Sequence, residues 1–250
     1  MRRIKGYEDI REKLILSLDV DDAAIAYDLI DKLAPHVKYY KVGLQLITKD
    51  GPRMVMTLKR KGLKVFYDAK FFDIPQTVYN ACYEAVRLGV NMVNVHALGG
   101  PAMIKSAKQA LEKGAAKMQF KRPLLLAVTV LTSMQKTDLR KNMRTNVGVK
   151  NMVLYLARQA KKAGADGVVC SPKERSLIKK NLGKDFVVVT PGIRTGKIAK
   201  DDQKRVMTPE KAVKSGADYI VVGRPILQAK DKQEAVHKIL KQISGGAENG

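Results

Sequence analysis

The sequence predicts an α/β protein, a (β/α)8 (TIM) barrel in a single domain. Three observations carry this. Short β-rich apolar runs alternate with amphipathic segments along the chain, the pattern of a parallel sheet with covered faces. Eight such runs fit a closed barrel in a chain of 250 residues. No GxGxxG opens a helix after the first run, which weakens the open, dinucleotide-binding alternative.

In chain order, the strand candidates are "LILSLDV" (14–20), "YYKVGLQ" (39–45), "LKVFYDAK" (63–70) and "MVNVHAL" (92–98). "PLLLAVTVL" (123–131), "GVVCS" (167–171), "FVVVTPG" (186–192) and "YIVVGR" (219–224) follow. Each is a β-branched or apolar run of strand length. Between them, 22–33, 52–61, 76–88, 102–113, 150–162 and 209–214 have helical spacing. Several of these are closed by a glycine just past the last apolar position: Gly62, Gly89, Gly114, Gly164 and Gly216. The barrel is expected over 1–244, and the terminal 245–250, within "SGGAENG", reads as a disordered tail.

Composition narrows the function. The uncharged run at about 123–136 is too short and too threonine-rich to span a bilayer. The charged N-terminus "MRRIKGYEDIREK" lacks the apolar core of a signal peptide, so the cytoplasm is the expected compartment. Cys82 and Cys170 lie in apolar patterns without CxxC spacing and read as core thiols. The net charge of +23 could attract nucleic acid, an anionic membrane or a phosphorylated substrate. Its lysines are dispersed over helix-like segments and no nucleic-acid signature accompanies them, so solvated helix faces explain them and no specific nucleic-acid partner is expected.

Active sites of such barrels lie at the C-terminal ends of the strands. Polar residues recur there: Asp19, Lys41, Asp68, Lys70, His96, Thr129, Thr132, Ser171, Arg194 and Arg224. Asp68 and Lys70 share one face of a strand, which points either into the barrel mouth or into the helix layer. Burying both charges against helices would need unusually good pairing, so the mouth is favoured. Gly223 and Arg224 end the eighth run, where backbone N–H groups and a guanidinium fork suit a phosphate. The loop 193–207 is long enough for a lid, though an ordinary surface loop reads the same way. His96 reads as a hydrogen-bonded structural residue, and His36 and His237 as surface residues.

The chain resembles the orotidine 5′-phosphate decarboxylase family. The resemblance runs from "LSLDV" through "YYKVG", "FYDAKFFDIPQTV", "VNVHALGG", "VTVLTSM", "VTPGIR" and "DQKRVMTP" to "VVGRPI". It implies decarboxylation of orotidine 5′-phosphate to UMP and CO2 without metal or organic cofactor, the last step of de novo pyrimidine nucleotide synthesis. By the same resemblance, Lys70 is the catalytic acid, with Asp68 beside the substrate carboxylate. Lys41 holds a ribose hydroxyl while pairing with Asp68, and Asp19 also contacts the ribose. Thr132 and Ser133 address the pyrimidine, and Arg194, Gln203, Gly223 and Arg224 bind phosphate. Asp73 and Thr77 serve the active site of a partner in a homodimer. The lid segment "RTGKIAKDDQKR" departs from the pattern in its extra lysines. Two rivals are the related Mg2+-dependent 3-keto-gulonate 6-phosphate decarboxylase and hexulose phosphate synthase, which share a DxKxxD core but not "IPQTV". A third, from another class, is a polyanion-binding or scaffold protein.

Overall fold

The eight apolar runs form eight parallel strands, and the last pairs with the first to close a barrel. The structure is a computed structural model and describes residues 7–195 and 206–247. Helix α1 (Tyr7–Lys13) precedes β1 (Leu14–Ser17), α2 (Ala23–Leu33), β2 (Tyr39–Gly43), α3 (Leu44–Arg60), β3 (Lys64–Phe71) and α4 (Pro75–Arg87). Next come β4 (Met92–His96), α5 (Gly100–Met118), β5 (Leu124–Val128), α6 (Lys136–Met143) and α7 (Val149–Lys162). The chain continues through β6 (Gly167–Val169), α8 (Arg175–Leu182), β7 (Val187–Thr190) and α9 (Pro209–Lys214). It finishes with β8 (Tyr219–Val222), α10 (Arg224–Leu227) and α11 (Lys232–Ala247). The last helix reaches into the segment read from the sequence as a tail, of which 248–250 lie outside the described residues.

Strand alternation sorts the side chains into two cores. On β1, Leu14 and Leu16 join the layer beneath the helices, whereas Ile15 joins a separate cluster in the lumen with Tyr39, Phe66, Met92, Leu126, Val189 and Val221. Two residues further along each of these strands, the same inward face carries Ser17, Lys41, Asp68, Asn94, Val128, Pro191 and Gly223. The apolar floor therefore gives way to a mouth that is polar on the β1–β4 side and mostly apolar on the β5–β8 side.

Two expectations change. Gly114 does not end a helix but lies inside α5. A Cβ there would approach Val86 Cβ of α4 to 3.2 Å, so its small size lets the two helices pack closely. Helix α3 begins at Leu44 rather than near Pro52, with a break at Asp50, whose carboxylate accepts a 2.6 Å hydrogen bond from the Tyr27 hydroxyl. Gly62, Gly89, Gly164 and Gly216 do follow helices with positive φ, the conformation that glycine adopts without a Cβ penalty.

Three of these turns continue into a repeated clamp at the N-terminal end of the barrel. The sequences Gly89-Val90-Asn91, Gly164-Ala165-Asp166 and Gly216-Ala217-Asp218 each lead into an even-numbered strand. In each, the last residue exchanges two hydrogen bonds with the preceding strand. Val65, Leu125 and Val188 donate their amides to Asn91 Oδ1, Asp166 Oδ2 and Asp218 Oδ2 at 2.9, 2.8 and 2.7 Å. The amides of Asn91, Asp166 and Asp218 in turn donate to the carbonyls of Val65, Leu125 and Val188. A cation braces each clamp: Lys59 on Asn91, Arg122 in two bonds on Asp166, and Lys179 on Asp218. Burial alone would raise the pKa of Asp166, but the hydrogen bonds of Arg122 and the Leu125 amide, with the charges of Arg122 and Lys108, hold it below the usual carboxylate range.

Asp166→Ala is expected to lower unfolding stability by about 2 kcal/mol in urea titrations, because it leaves the Leu125 amide without an acceptor and removes the carboxylate that pairs with Arg122. A carboxyl whose folded pKa is depressed contributes stability above its unfolded pKa, about 3.9, and loses it as pH falls through the folded value. The stability gap between wild type and Asp166→Asn is therefore expected to close below about pH 4.

Candidate active site

The register of the first strands brings the mouth's charges together. Ser17 pairs with Lys41 across β1 and β2, and Gly43 pairs with Asp68 across β2 and β3. Between β3 and β4 the ladder slips: Tyr67 opposes Val93, but Phe71 opposes Val95, so four residues of advance on β3 match two on β4. Lys70 sits in this bulge with φ of +50°, a left-handed backbone unusual for a residue with a Cβ.

The result is a continuous chain of opposite charges. Lys41 Nζ lies 3.0 Å from Asp19 Oδ1 and 3.1 Å from Asp68 Oδ2. Lys70 Nζ lies 2.7 Å from Asp68 Oδ1. Two ammoniums and two carboxylates sum to zero within one chain. The side chains of Lys41 and Asp68 are 10% and 11% exposed, that of Lys70 33% and that of Asp19 60%, so the array runs from the buried floor to solvent. Burial disfavours the charge on Lys41, but Asp68 and Asp19 outweigh it and hold its pKa above the ordinary lysine value. Burial likewise opposes ionisation of Asp68, yet the charges of Lys41 and Lys70 and hydrogen bonds from Lys70 and Asn94 hold its pKa below the ordinary carboxylate value. Both groups of the central pair are thus held charged.

Above the array lies a cavity of about 610 Å³. Asp19, Lys41, Asp68, Lys70, Thr132, Arg194, Gly223 and Arg224 all line it, as the sequence reading expected of site residues. Val128, Val130, Val169 and Pro191 form its apolar side. Arg194 is half-buried and stands at the root of the 193–207 loop, whose two ends are pinned together: Arg194 N donates to Met207 O and Met207 N to Gly192 O. Gln203 and the centre of that loop lie outside the described residues.

Three expected site residues are not brought to this cavity. Ser133 is exposed beside Thr132 and does not line it. Asp73 and Thr77, at the start of α4, face solvent, and Asp73 Oδ1 accepts the Ile74 amide at 2.6 Å. They stand among exposed apolar side chains, Phe72 at 60% and Ile74 at 67% exposure. Other polar strand ends serve the backbone: Thr129 is buried and donates to Val169 O, and buried Ser171 accepts the Lys173 amide. His96 Nδ1 accepts the Leu98 amide at 3.3 Å while its ring stacks on Phe72. Among the described residues, no three His, Cys, Asp or Glu side chains cluster as metal ligands, and no helix is long and apolar enough to cross a membrane.

Sequence reasoning missed three contributors. Ser17 donates to Asp19 Oδ2 at 2.7 Å, fixing the exposed carboxylate from behind. A Cβ on Gly43 would come within 2.9 Å of Lys41 Nζ, so glycine leaves room for the ammonium. Asn94, fully buried below the cavity, donates to Asp68 Oδ1 and accepts the Lys70 amide, both at 2.7 Å. Its place in "MVNVH" was the available signal, since it shares the inward parity of Met92.

Known proteins match this architecture over most of its length. A relative from Carboxydothermus hydrogenoformans, described as orotidine 5′-phosphate decarboxylase, is 45% identical over 234 residues, covering 94% of this chain and 97% of its own. One of the same description from Geotalea daltonii is 46% identical over 242 residues, covering 96% and 99%. The crystal structure of orotidine 5′-phosphate decarboxylase from Lactobacillus acidophilus superposes with a TM-score of 0.81 at 41% identity, covering 92% of this chain and 98% of that one. The profile of the orotidine 5′-phosphate decarboxylase / HUMPS family matches residues 12–239, and the chain belongs to that family.

Proposed function

We propose that the protein decarboxylates orotidine 5′-phosphate to UMP and CO2, the closing step of de novo pyrimidine nucleotide synthesis, without a cofactor. The observation that carries this reading is the Asp19–Lys41–Asp68–Lys70 array on the floor of a cavity with arginines at its rim.

The substrate would be anchored at its remote end. Arg194, Arg224 and the Gly223 backbone would bind the phosphate, joined by Gln203 when the loop closes over it. Asp19 and Lys41 would hold the ribose hydroxyls, and Thr132 the pyrimidine. Such anchoring supplies binding energy that keeps the reacting carbon over Lys70. As the bond from C6 to the carboxylate breaks, its electron pair stays on C6 in an orbital the ring cannot delocalise, and CO2 departs. An ammonium fixed beside that carbon stabilises the developing charge, then transfers its proton to C6 and is left as an amine that regains a proton from solvent. Asp68 orients Lys70 and stands next to the departing carboxylate.

Asp73 and Thr77 fit this scheme as residues that serve a second copy of the chain. Their exposure on a surface carrying Phe72 and Ile74 supports a homodimer that buries this face and completes each site in trans.

With EDTA present, the protein is expected to consume orotidine 5′-phosphate, read as falling ultraviolet absorbance, and Lys70→Ala is expected to lose more than roughly 1000-fold in kcat. Activity abolished by EDTA would move the site to the metal-dependent sugar-phosphate chemistry of related enzymes. Lys70→Ala and Asp73→Ala, each inactive alone, are expected to regain about a quarter of wild-type activity when unfolded and refolded as an equal mixture, because half the dimers then carry one intact site. A fully active monomer in sedimentation, or no recovery on mixing, would contradict the shared site.

A further inference from the structure

We infer that Asn94 is a positioning residue, whose amide holds the Asp68 carboxylate and the Lys70 main chain in one fixed arrangement; this rests on the decarboxylase reading above. The residue is fully buried on β4, below the cavity rather than in it. A buried carboxamide is costly unless both ends are paired, and here both are. Its Nδ2 donates to Asp68 Oδ1 and its Oδ1 accepts from Lys70 N, each at 2.7 Å.

The two partners also fix which way the amide points. A main-chain N–H can only donate and a carboxylate can only accept, so turning the amide over would set like against like. Three donors then surround Asp68: Lys70 Nζ and Asn94 Nδ2 on Oδ1, and Lys41 Nζ beside Oδ2.

The bulge explains why a side chain is needed. Where β3 slips against β4, Lys70 takes a left-handed backbone and its N–H has no regular ladder partner on β4. Asn94 Oδ1 supplies the acceptor from within β4 itself. One residue thereby links the strained backbone of Lys70 to the carboxylate that its ammonium touches. The groups facing Asn94 are Asp68 and Lys70 from β3, with Lys41 from β2 beyond Asp68; its β5 neighbour, Leu126, is apolar, and His96 is the other titratable group on its own strand.

An isosteric variant separates positioning from mere filling of space. Asn94→Asp keeps an acceptor for the Lys70 amide but sets a carboxyl against Asp68, a contact that holds only while a proton is shared. At about pH 8 its kcat is expected to fall roughly 100-fold with KM within about twofold of wild type. As pH is lowered toward about 5.5, it should regain about tenfold relative to wild type, because the carboxyl pair retains a proton there. Asn94→Ala should lose a similar factor in kcat with no such recovery. Wild-type kcat in Asn94→Asp at high pH, or a loss that does not reverse at lower pH, would overturn the inference. A substrate-free readout keeps it apart from the functional reading. Followed by carboxyl-carbon NMR, Asp68 should titrate at higher pH in Asn94→Ala than in wild type, and an unshifted titration would overturn the positioning role. Should Asn94→Ala not fold, the pH-dependent ratio of Asn94→Asp to wild type still decides. An inactive wild type with a shifted Asp68 would instead sink the decarboxylase reading and leave the linkage standing.

Discussion

The structure depends on keeping two ammoniums and two carboxylates together at the mouth of an apolar barrel. Each ion removed from water costs several kcal/mol, and only close pairing with satisfied hydrogen bonds offsets that. The Asp19–Lys41–Asp68–Lys70 chain meets the condition by alternation: each interior member has an opposite charge on both sides, and the exposed Asp19 end reaches solvent. An isolated Lys41–Asp68 pair would leave lone pairs and protons unsatisfied at the same depth. Lys70 and Asn94 take up those of Asp68, and Asp19, itself held by Ser17, takes up those of Lys41.

The fold separates this demand from its own stability. At the N-terminal end, the Asn91, Asp166 and Asp218 clamps lock β4, β6 and β8 each to the strand before it and take no part in the cavity. At the C-terminal end, the strands are free to carry a bulge, a left-handed lysine and a glycine chosen for the space it leaves. Between them lies the lumen cluster, and beyond it Ser17, Lys41, Asp68 and Asn94 follow on the inward face of four adjacent strands. Preorganisation of this kind is what electrostatic catalysis requires, since dipoles and charges already in place need not reorganise as charge develops.

Much of this was legible in the sequence, for identifiable reasons. The barrel could be read because β-branched runs and glycine-closed amphipathic segments report backbone geometry locally, and the charges of Asp68 and Lys70 stood out because a strand end should be apolar. Helix α11 was passed over although Val236, Ile239, Leu240 and Ile243 follow a helical spacing and are buried; Gly114 was misread because a glycine that ends a helix and one that admits a neighbouring helix look alike in a string. Asn94 escaped because an amide's importance depends on what stands across from it, and the β3–β4 slip that puts Lys70 N–H there is a tertiary feature. The contact of Asp19 with Lys41 escaped for the same reason, since only the register of β1 against β2 sets the two side by side.

The most direct test of the account is exchange of the C6 hydrogen of UMP for deuterium in D2O, followed by proton NMR. A site built to stabilise a C6 carbanion and return a proton from Lys70 must also catalyse the reverse proton removal. Exchange is expected with the wild-type protein and is expected to disappear in Lys70→Ala. A protein that decarboxylates orotidine 5′-phosphate yet leaves C6 unexchanged, or exchanges it equally well without Lys70, would contradict the account.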